Sequence, residues 1–240
     1  MRDATAPVAD SREQILGSLR RSLKRGANAA AADEVKARLA EHKRNTIPAR
    51  AASLDREAQI DLFIDMAKEV VATVARVASL DDVPDAVADY LAQHNLPANL
   101  VATPDPALAP IPWTKRPTLT VREGIIGAED PVGITASFAG VAETGTLMLL
   151  SGPESPTRNN FLPDTHIVVI RADQIVPSYE EGWTRLRALK TLKDGHFTMP
   201  RTVNFITGPS RTADIELKIE MGIHGPRRLH IVIVDEAPSG

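Results

Sequence analysis

Between Arg56 and Asp105 the chain alternates between two hydrophobic periods, and this alternation limits its possible folds more than any other feature. REAQIDLFIDMAKEV (56–70) sets Ile60, Phe63, Ile64 and Ala67 on one helical face. VATVARVA (71–78) then reads as a strand. DDVPDAVADYLAQHN (81–95) returns to the helical period, and NLVATPD (99–105) holds a short strand. Helix and strand in alternation call for an α/β architecture with parallel strands.

The texture changes at residue 118. TLTVREG, VGITASFAG, TLMLLSG and THIVVIRA are strand-like pieces, and only short polar breaks separate the first three. An antiparallel or mixed section grafted on the sheet is expected there. SYEEGWTRLRALK (178–190) reads as a helix, VNFITG as a strand, SRTADIELKIEMG (210–222) as a short helix and LHIVIVDE as the last strand. TPDPALAPIPWTKRP (103–117) has five prolines in fifteen residues, so a surface loop outside the core is expected, one that could cover a pocket.

Residues 1–50 read as a tail and a helical arm, and residues 51–240 as the α/β domain. In SREQILGSLRRSLKR, Ser11 stands three residues before Gln14, a capping-box spacing, and Ile15, Leu16, Leu19 and Leu23 form an apolar stripe. AADEVKARLAEHKR (31–44) continues as a charged helix that Pro48 ends. An arm with so few apolar anchors is expected to dock on its own domain or on another subunit, or to stay mobile. Homo-oligomerisation through these helices is one expectation, and a membrane-surface helix is the alternative.

Composition removes several classes. With 43% hydrophobic and 25% charged residues the chain is of ordinary globular type, and its net charge of −3 does not suggest a nucleic-acid binder. It has no cysteine, so it can hold no disulfide and no thiolate-ligated metal or iron–sulfur cluster. No apolar run approaches the roughly 20 residues of a membrane span, and Asp3, Asp10 and Glu13 occupy an N-terminus without a secretory core. A cytoplasmic protein is expected. There is no G-x-G-x-x-G after a strand, no phosphate-binding G-x-x-x-x-G-K-[ST], no H-E-x-x-H and no G-x-S-x-G. The six histidines show no short metal-ligand spacing, and no metal site is expected.

Three segments can carry chemistry. The densest is FITGPSRTADIELKIEMGIHGP (205–226). If Ser210 or Thr212 caps a helix, then Gly208, the backbone amides of the turn and Arg211 make an anion site, with Asp214 and Glu216 in the first turn. In parallel α/β sheets such a loop lies beyond the carboxyl ends of the strands. Alternatively the two acids only complement the helix dipole and pair with Arg211. His224, held between Gly222 and Gly225, can reach a cleft as an acid or base, or simply bond nearby backbone. In SGPESPTRNNFLPDTH (151–166), Arg158 can grip a carboxylate or be a solvated loop residue, and His166 is expected to be structural. Finally, AETGT (142–146) places Glu143 between apolar strands beside Thr144, Gly145 and Thr146. A carboxylate partly withdrawn from water suits general acid–base or nucleophilic work, or it can shape a bend by accepting nearby N–H groups.

AETGT, Arg158 with Leu162-Pro163 and His166, GPSRTADIE and GIHGP occur here in the order found in the lactate-utilisation protein C family, the LUD domain. The chain resembles that family over about residues 55–236, most strongly from 132 onward. The resemblance implies a Rossmann-like, three-layer fold similar to the NagB/RpiA/CoA-transferase group. It also implies a part in oxidising L-lactate to pyruvate beside two iron–sulfur partner proteins. A non-redox accessory subunit would then bind a small carboxylate or nucleotide through Glu143, Arg158, Ser210, Arg211 and His224, and would need no cofactor of its own. Two other readings stand beside it. One is an acyl- or CoA-transfer enzyme with Glu143 as nucleophile, by analogy of fold. The other is a metabolite-sensing module without turnover.

Overall fold

The computed structural model describes residues 8–23, 29–44, 48–189, 199–212 and 220–236. The chain divides into two compact units, residues 1–46 and 47–240. In the first, α1 (Val8–Ser22) starts before Ser11, so that serine lies inside the helix and not at its cap. α2 (Ala29–Glu41) stops well before Pro48. His42, at φ +46°, turns the chain out of the helix. Ile15, Leu19, Val35 and Leu39 are exposed. No helix among the described residues is long and apolar enough to cross a membrane.

In the second unit a short helix, α3 (Ala49–Ala52), precedes α4 (Arg56–Glu69), which Asp55 opens by accepting the Ala58 amide. Ile60, Phe63 and Ala67 bury the inner face of α4, as its period predicts, and Ile64 is half-buried. The strand β1 (Thr73–Val77) follows, then α5 (Val83–Gln93) and β2 (Asn99–Ala102). Next come β3 (Thr120–Glu123), β4 (Val132–Ala136), β5 (Ala139–Val141), β6 (Thr146–Leu150), β7 (Thr165–Arg171) and β8 (Ile175–Val176). α6 (Tyr179–Leu189), β9 (Val203–Ile206), β10 (Arg211–Thr212), β11 (Glu220–Met221) and β12 (Arg228–Val234) complete the order.

The strands sort into two main sheets. Six form a wholly parallel sheet in the order β1-β12-β7-β4-β2-β3. Four form a smaller sheet, β8-β5-β6-β9, in which β6 runs antiparallel to both neighbours and β8 parallel to β5. The mixed section expected from residue 118 is therefore a separate sheet. β3 and β4, which were read with it, belong to the parallel one.

Alternate side chains of the central strands point to opposite faces. Ile167, Val169, Val232 and Val234 pack with Val83, Val87 and Leu91 of α5. Val168, Ile170, Ile231 and Ile233 pack with Ile60, Phe63 and Ala67 of α4 and with Leu147 and Leu149 of the smaller sheet. This is a three-layer α/β sandwich: α5, the parallel sheet, then α4 beside the smaller sheet. α6 covers the outer side of that sheet through Leu186 against Ala139 and Met148. The proline-rich segment departs from its expected exposure. Leu108 and Ile111 are only 2% and 4% exposed and sit in the α5-side core. Prolines fix the backbone between these anchors without excluding the anchors from the interior.

Two histidines lie inside. His166 on β7 is fully buried, with Nε2 2.7 Å from Thr135 Oγ1. Burial pushes its pKa down to about 3. His230 on β12 stacks on Tyr90 at 3.9 Å and meets Thr73 Oγ1 at 2.8 Å through Nδ1. Burial, reinforced by His94, lowers its pKa to about 4.

Candidate functional site

β9 delivers the chain to a tight turn. Gly208 adopts φ +75°, and a Cβ there would lie 2.4 Å from the Val70 carbonyl oxygen, so only glycine allows this approach. The next residues are tied to the turn that precedes β12. The Ser210 amide donates to Pro226 O at 2.8 Å, the Gly222 amide to Ser210 O at 2.8 Å, and the His224 amide to Ser210 Oγ at 3.2 Å. β10 and β11 then pair antiparallel, with Arg211 opposite Met221 and Thr212 opposite Glu220.

The middle of the helix expected over 210–222, residues 213–219, lies outside the described residues. Its described ends, Arg211–Thr212 and Glu220–Met221, are paired strands. Asp214 and Glu216 lie outside the described residues.

Under the knitted loops lies a cavity of about 370 Å³. Gly208, Ser210 and Arg211 line one side and His224 and Pro226 another, with Asn160 and Phe161 completing the wall. His166 and Leu229, register neighbours on β7 and β12, make its floor. Both stand at the amino-terminal ends of their strands. The expectation of a site beyond the carboxyl ends is thus reversed: β9, which feeds the loop, belongs to the smaller sheet and opens at the opposite end.

Arg211 and His224 are exposed at the lip, and no carboxylate among the described residues pairs with Arg211. Toward the interior, Asn160 Oδ1 and His166 Nδ1 are buried without a hydrogen-bond partner among those residues. The cavity therefore offers a cation at the mouth and neutral hydrogen-bonding groups below, a combination suited to a small ligand with one anionic and one uncharged polar group. Among the described residues no cluster of histidine, aspartate and glutamate is placed to hold a metal.

The AETGT residues form the β5–β6 hairpin loop, outside the lining of this cavity. Gly145 has φ +62°, and a Cβ on it would come within 2.3 Å of the Ala67 amide nitrogen at the end of α4. Glu143 is half-buried. Its Oε1 accepts the Tyr179 amide at the start of α6 (3.4 Å), while Oε2 is buried without a partner among the described residues. Thr144 and Thr146 join a hydroxyl cluster with Tyr179: Thr144 to Thr146 2.7 Å, Thr144 to Tyr179 3.1 Å, Thr146 to Tyr179 3.0 Å. Thr146 also meets Thr207 at 2.7 Å, and Thr207 lines the cavity. The hairpin thus meets the cavity wall from behind, through Thr207 and the β9 residues Phe205 and Ile206 that pair with β6. Arg158 is exposed in the turn Thr157–Asn160, two residues before the wall residue Asn160.

Sequence reasoning assigned no role to Asn160, Phe161 or Thr207 and took His166 as a structural histidine. A polar residue at the second position of THIVVIRA, an otherwise apolar strand, was the available signal.

Residues 128–234 match the LUD domain family. Over 105 residues the chain is 38% identical to a protein named lactate utilization protein C from Geobacillus sp. (strain WCH70), and 35% identical to one of the same name from Bacillus subtilis (strain 168). Each match covers 44% of this chain and 42% of the relative, so the chain spans less than half the length of these curated relatives. A crystal structure of a DUF162 family protein from Deinococcus radiodurans superposes with a TM-score of 0.55 at 25% identity, covering 75% of this chain and 99% of that one. Over residues 128–234 the chain is thus similar to LUD-domain proteins, among them proteins named lactate utilization protein C.

Proposed function

We propose that the chain is a non-redox accessory component of an L-lactate utilisation system and that it binds a small carboxylate or nucleotide in the cavity below Arg211. The names of its relatives support the pathway. One observation carries the binding: the 207–211 loop and the 222–226 turn bring Gly208, Ser210, Arg211 and His224 together over buried, unpartnered polar atoms of Asn160 and His166. In this reading Arg211 fixes the anionic group, Ser210 and His224 flank it, and the floor receives an uncharged polar group. Oxidation itself would belong to iron–sulfur partner proteins, since a chain without cysteine lacks the ligands for such clusters. The protein would act in the cytoplasm, and the apolar stripe of α1 would join copies of the chain.

A thermal-shift screen with lactate, pyruvate, sugar phosphates, ATP and CoA tests the binding, because a ligand of the native state raises its melting temperature by mass action. A hit abolished by Arg211→Ala supports the proposal. No shift with any compound refutes it. The pathway is tested separately by co-purification with the iron–sulfur proteins, and by lactate growth after deletion of the gene. Undiminished lactate oxidation in the deletion strain would reject it.

A further inference from the structure

A second cavity, of about 400 Å³, lies at the other end of the parallel sheet. It is lined at the carboxyl ends of β4 and β7 by Ala136, Val169 and Arg171, and just after β12 by Glu236. β2 and β4 are neighbours in the sheet, yet their outgoing chains part. After β2 the proline-rich segment turns to the α5 face, where Leu108 and Ile111 are anchored in the core. After β4 the chain enters β5, on the opposite face. Adjacent parallel strands whose connections leave to opposite faces open a crevice, the usual ligand position in such sheets. Here Pro106, Ala107 and Pro110 wall that crevice.

The chemistry of the crevice differs from that of the first cavity. Its walls are mostly aliphatic, and three polar side chains gather at one edge. Gln174 Oε1 accepts the Arg171 amide at 2.9 Å, which holds the carboxamide and leaves its NH₂ as a donor. Glu236 Oε2 accepts the Leu80 amide at 3.3 Å, leaving Oε1 as an acceptor. Arg171 Nε donates to Asp173 at 3.0 Å, so the one guanidinium is already paired with a carboxylate. There is no surplus positive charge and no glycine-rich phosphate cradle.

We infer that this crevice is a second ligand site, and that it takes an uncharged, flat heterocycle presenting a donor beside an acceptor on one edge, as purine, pterin and isoalloxazine rings do. The aliphatic walls sandwich the ring, and Gln174 and Glu236 read its edge. The volume suits one such ring system with a small substituent. The site is independent of the anion-binding cavity and of the role proposed for it.

Titration of the full chain with adenosine and with lumichrome, by calorimetry and by ring fluorescence, tests the site. At least one probe is expected to bind one to one with Kd below about 1 mM. Gln174→Ala should weaken it roughly tenfold, the usual effect of deleting one hydrogen-bonding group. Ala136→Leu, which fills the crevice, should abolish it. Ala107→Trp, placed on the exposed loop wall away from the core, makes the same test if Ala136→Leu fails to fold. Arg211→Ala should leave the affinity unchanged. The inference is overturned if neither probe binds, if the filling variants bind like the parent, or if ATP binds far more tightly than adenosine.

Discussion

Acidification should destabilise the fold through two histidines that the core holds neutral. The ordinary histidine pKa of 6.5 falls to about 3 for His166 and about 4 for His230, chiefly by burial. Below pH 6.5 the unfolded chain takes up protons that the native chain refuses, so stability rises with pH through this range. It is fully present above 6.5 and is lost as pH falls toward 4 and then 3. Each histidine contributes about 1.4 kcal/mol per pH unit between its two values, so cooling the pH from 7.5 to 4.5 removes about 2.6 kcal/mol apiece, together about 5 kcal/mol. That is a large share of the roughly 5–15 kcal/mol that holds a domain together. Glu57, whose carboxyl is lowered by its hydrogen bond to Arg76, titrates below this window and does not obscure it. Urea unfolding at pH 7.5, 6.5, 5.5 and 4.5 measures the slope. The variants His166→Gln and His230→Gln should each be less stable at pH 7.5 but lose about half of the acid sensitivity. Equal stability at pH 7.5 and 5.5, or a native histidine resonance assigned to His166 or His230 that titrates near 6.5, would refute the reasoning.

Other outcomes follow from single contacts. Gly145→Ala should cost about 3 kcal/mol, from the left-handed backbone and the collision with the Ala67 amide, and lower the melting temperature by roughly 6–12 °C. Leu108→Ala should cost about 3 kcal/mol in urea unfolding; a loss under about 0.5 kcal/mol would mean that the proline-rich segment is a surface loop after all. Arg211→Ala should weaken a small carboxylate ligand by roughly 10- to 100-fold in calorimetry while the circular dichroism spectrum stays unchanged. Supplying acyl-CoA and looking for a mass adduct on Glu143 separates acyl transfer from binding: the proposed function predicts no adduct, and one lost in Glu143→Gln would favour transfer.

Local features of the fold were legible in the sequence, and pairings between distant segments were not. The helical period of residues 56–70 and the apolar run of LHIVIVDE name their elements because each depends on neighbours in the chain. Which strands share a sheet depends on partners far away: β4 and β5 are separated by only Ser137 and Phe138 yet lie in different layers. No periodicity records that jump. The proline count hid Leu108 and Ile111 for a related reason, since composition averages over residues that point in opposite directions. At the site, GPSR and GIHGP were readable as turns, and the structure joins them through Ser210. His166 escaped because its distinction comes from position: a strand histidine looks structural until the loop above it leaves a cavity over its ring.

The placement of β12 has a consequence for how the chain assembles. It lies between β1 and β7, and Thr73 and His230, which touch across that pairing, are 157 residues apart in sequence. Until residues 228–234 leave the ribosome, β1 lacks its parallel neighbour and β7 keeps an open edge on that side. The central sheet can then close only once residues 228–234 have emerged, through a contact of very long loop closure, which is a slow step. Meanwhile two unsatisfied strand edges are open to pairing with other chains. A nascent chain held just short of Arg228 should therefore be the species that chaperones engage and that aggregates most readily.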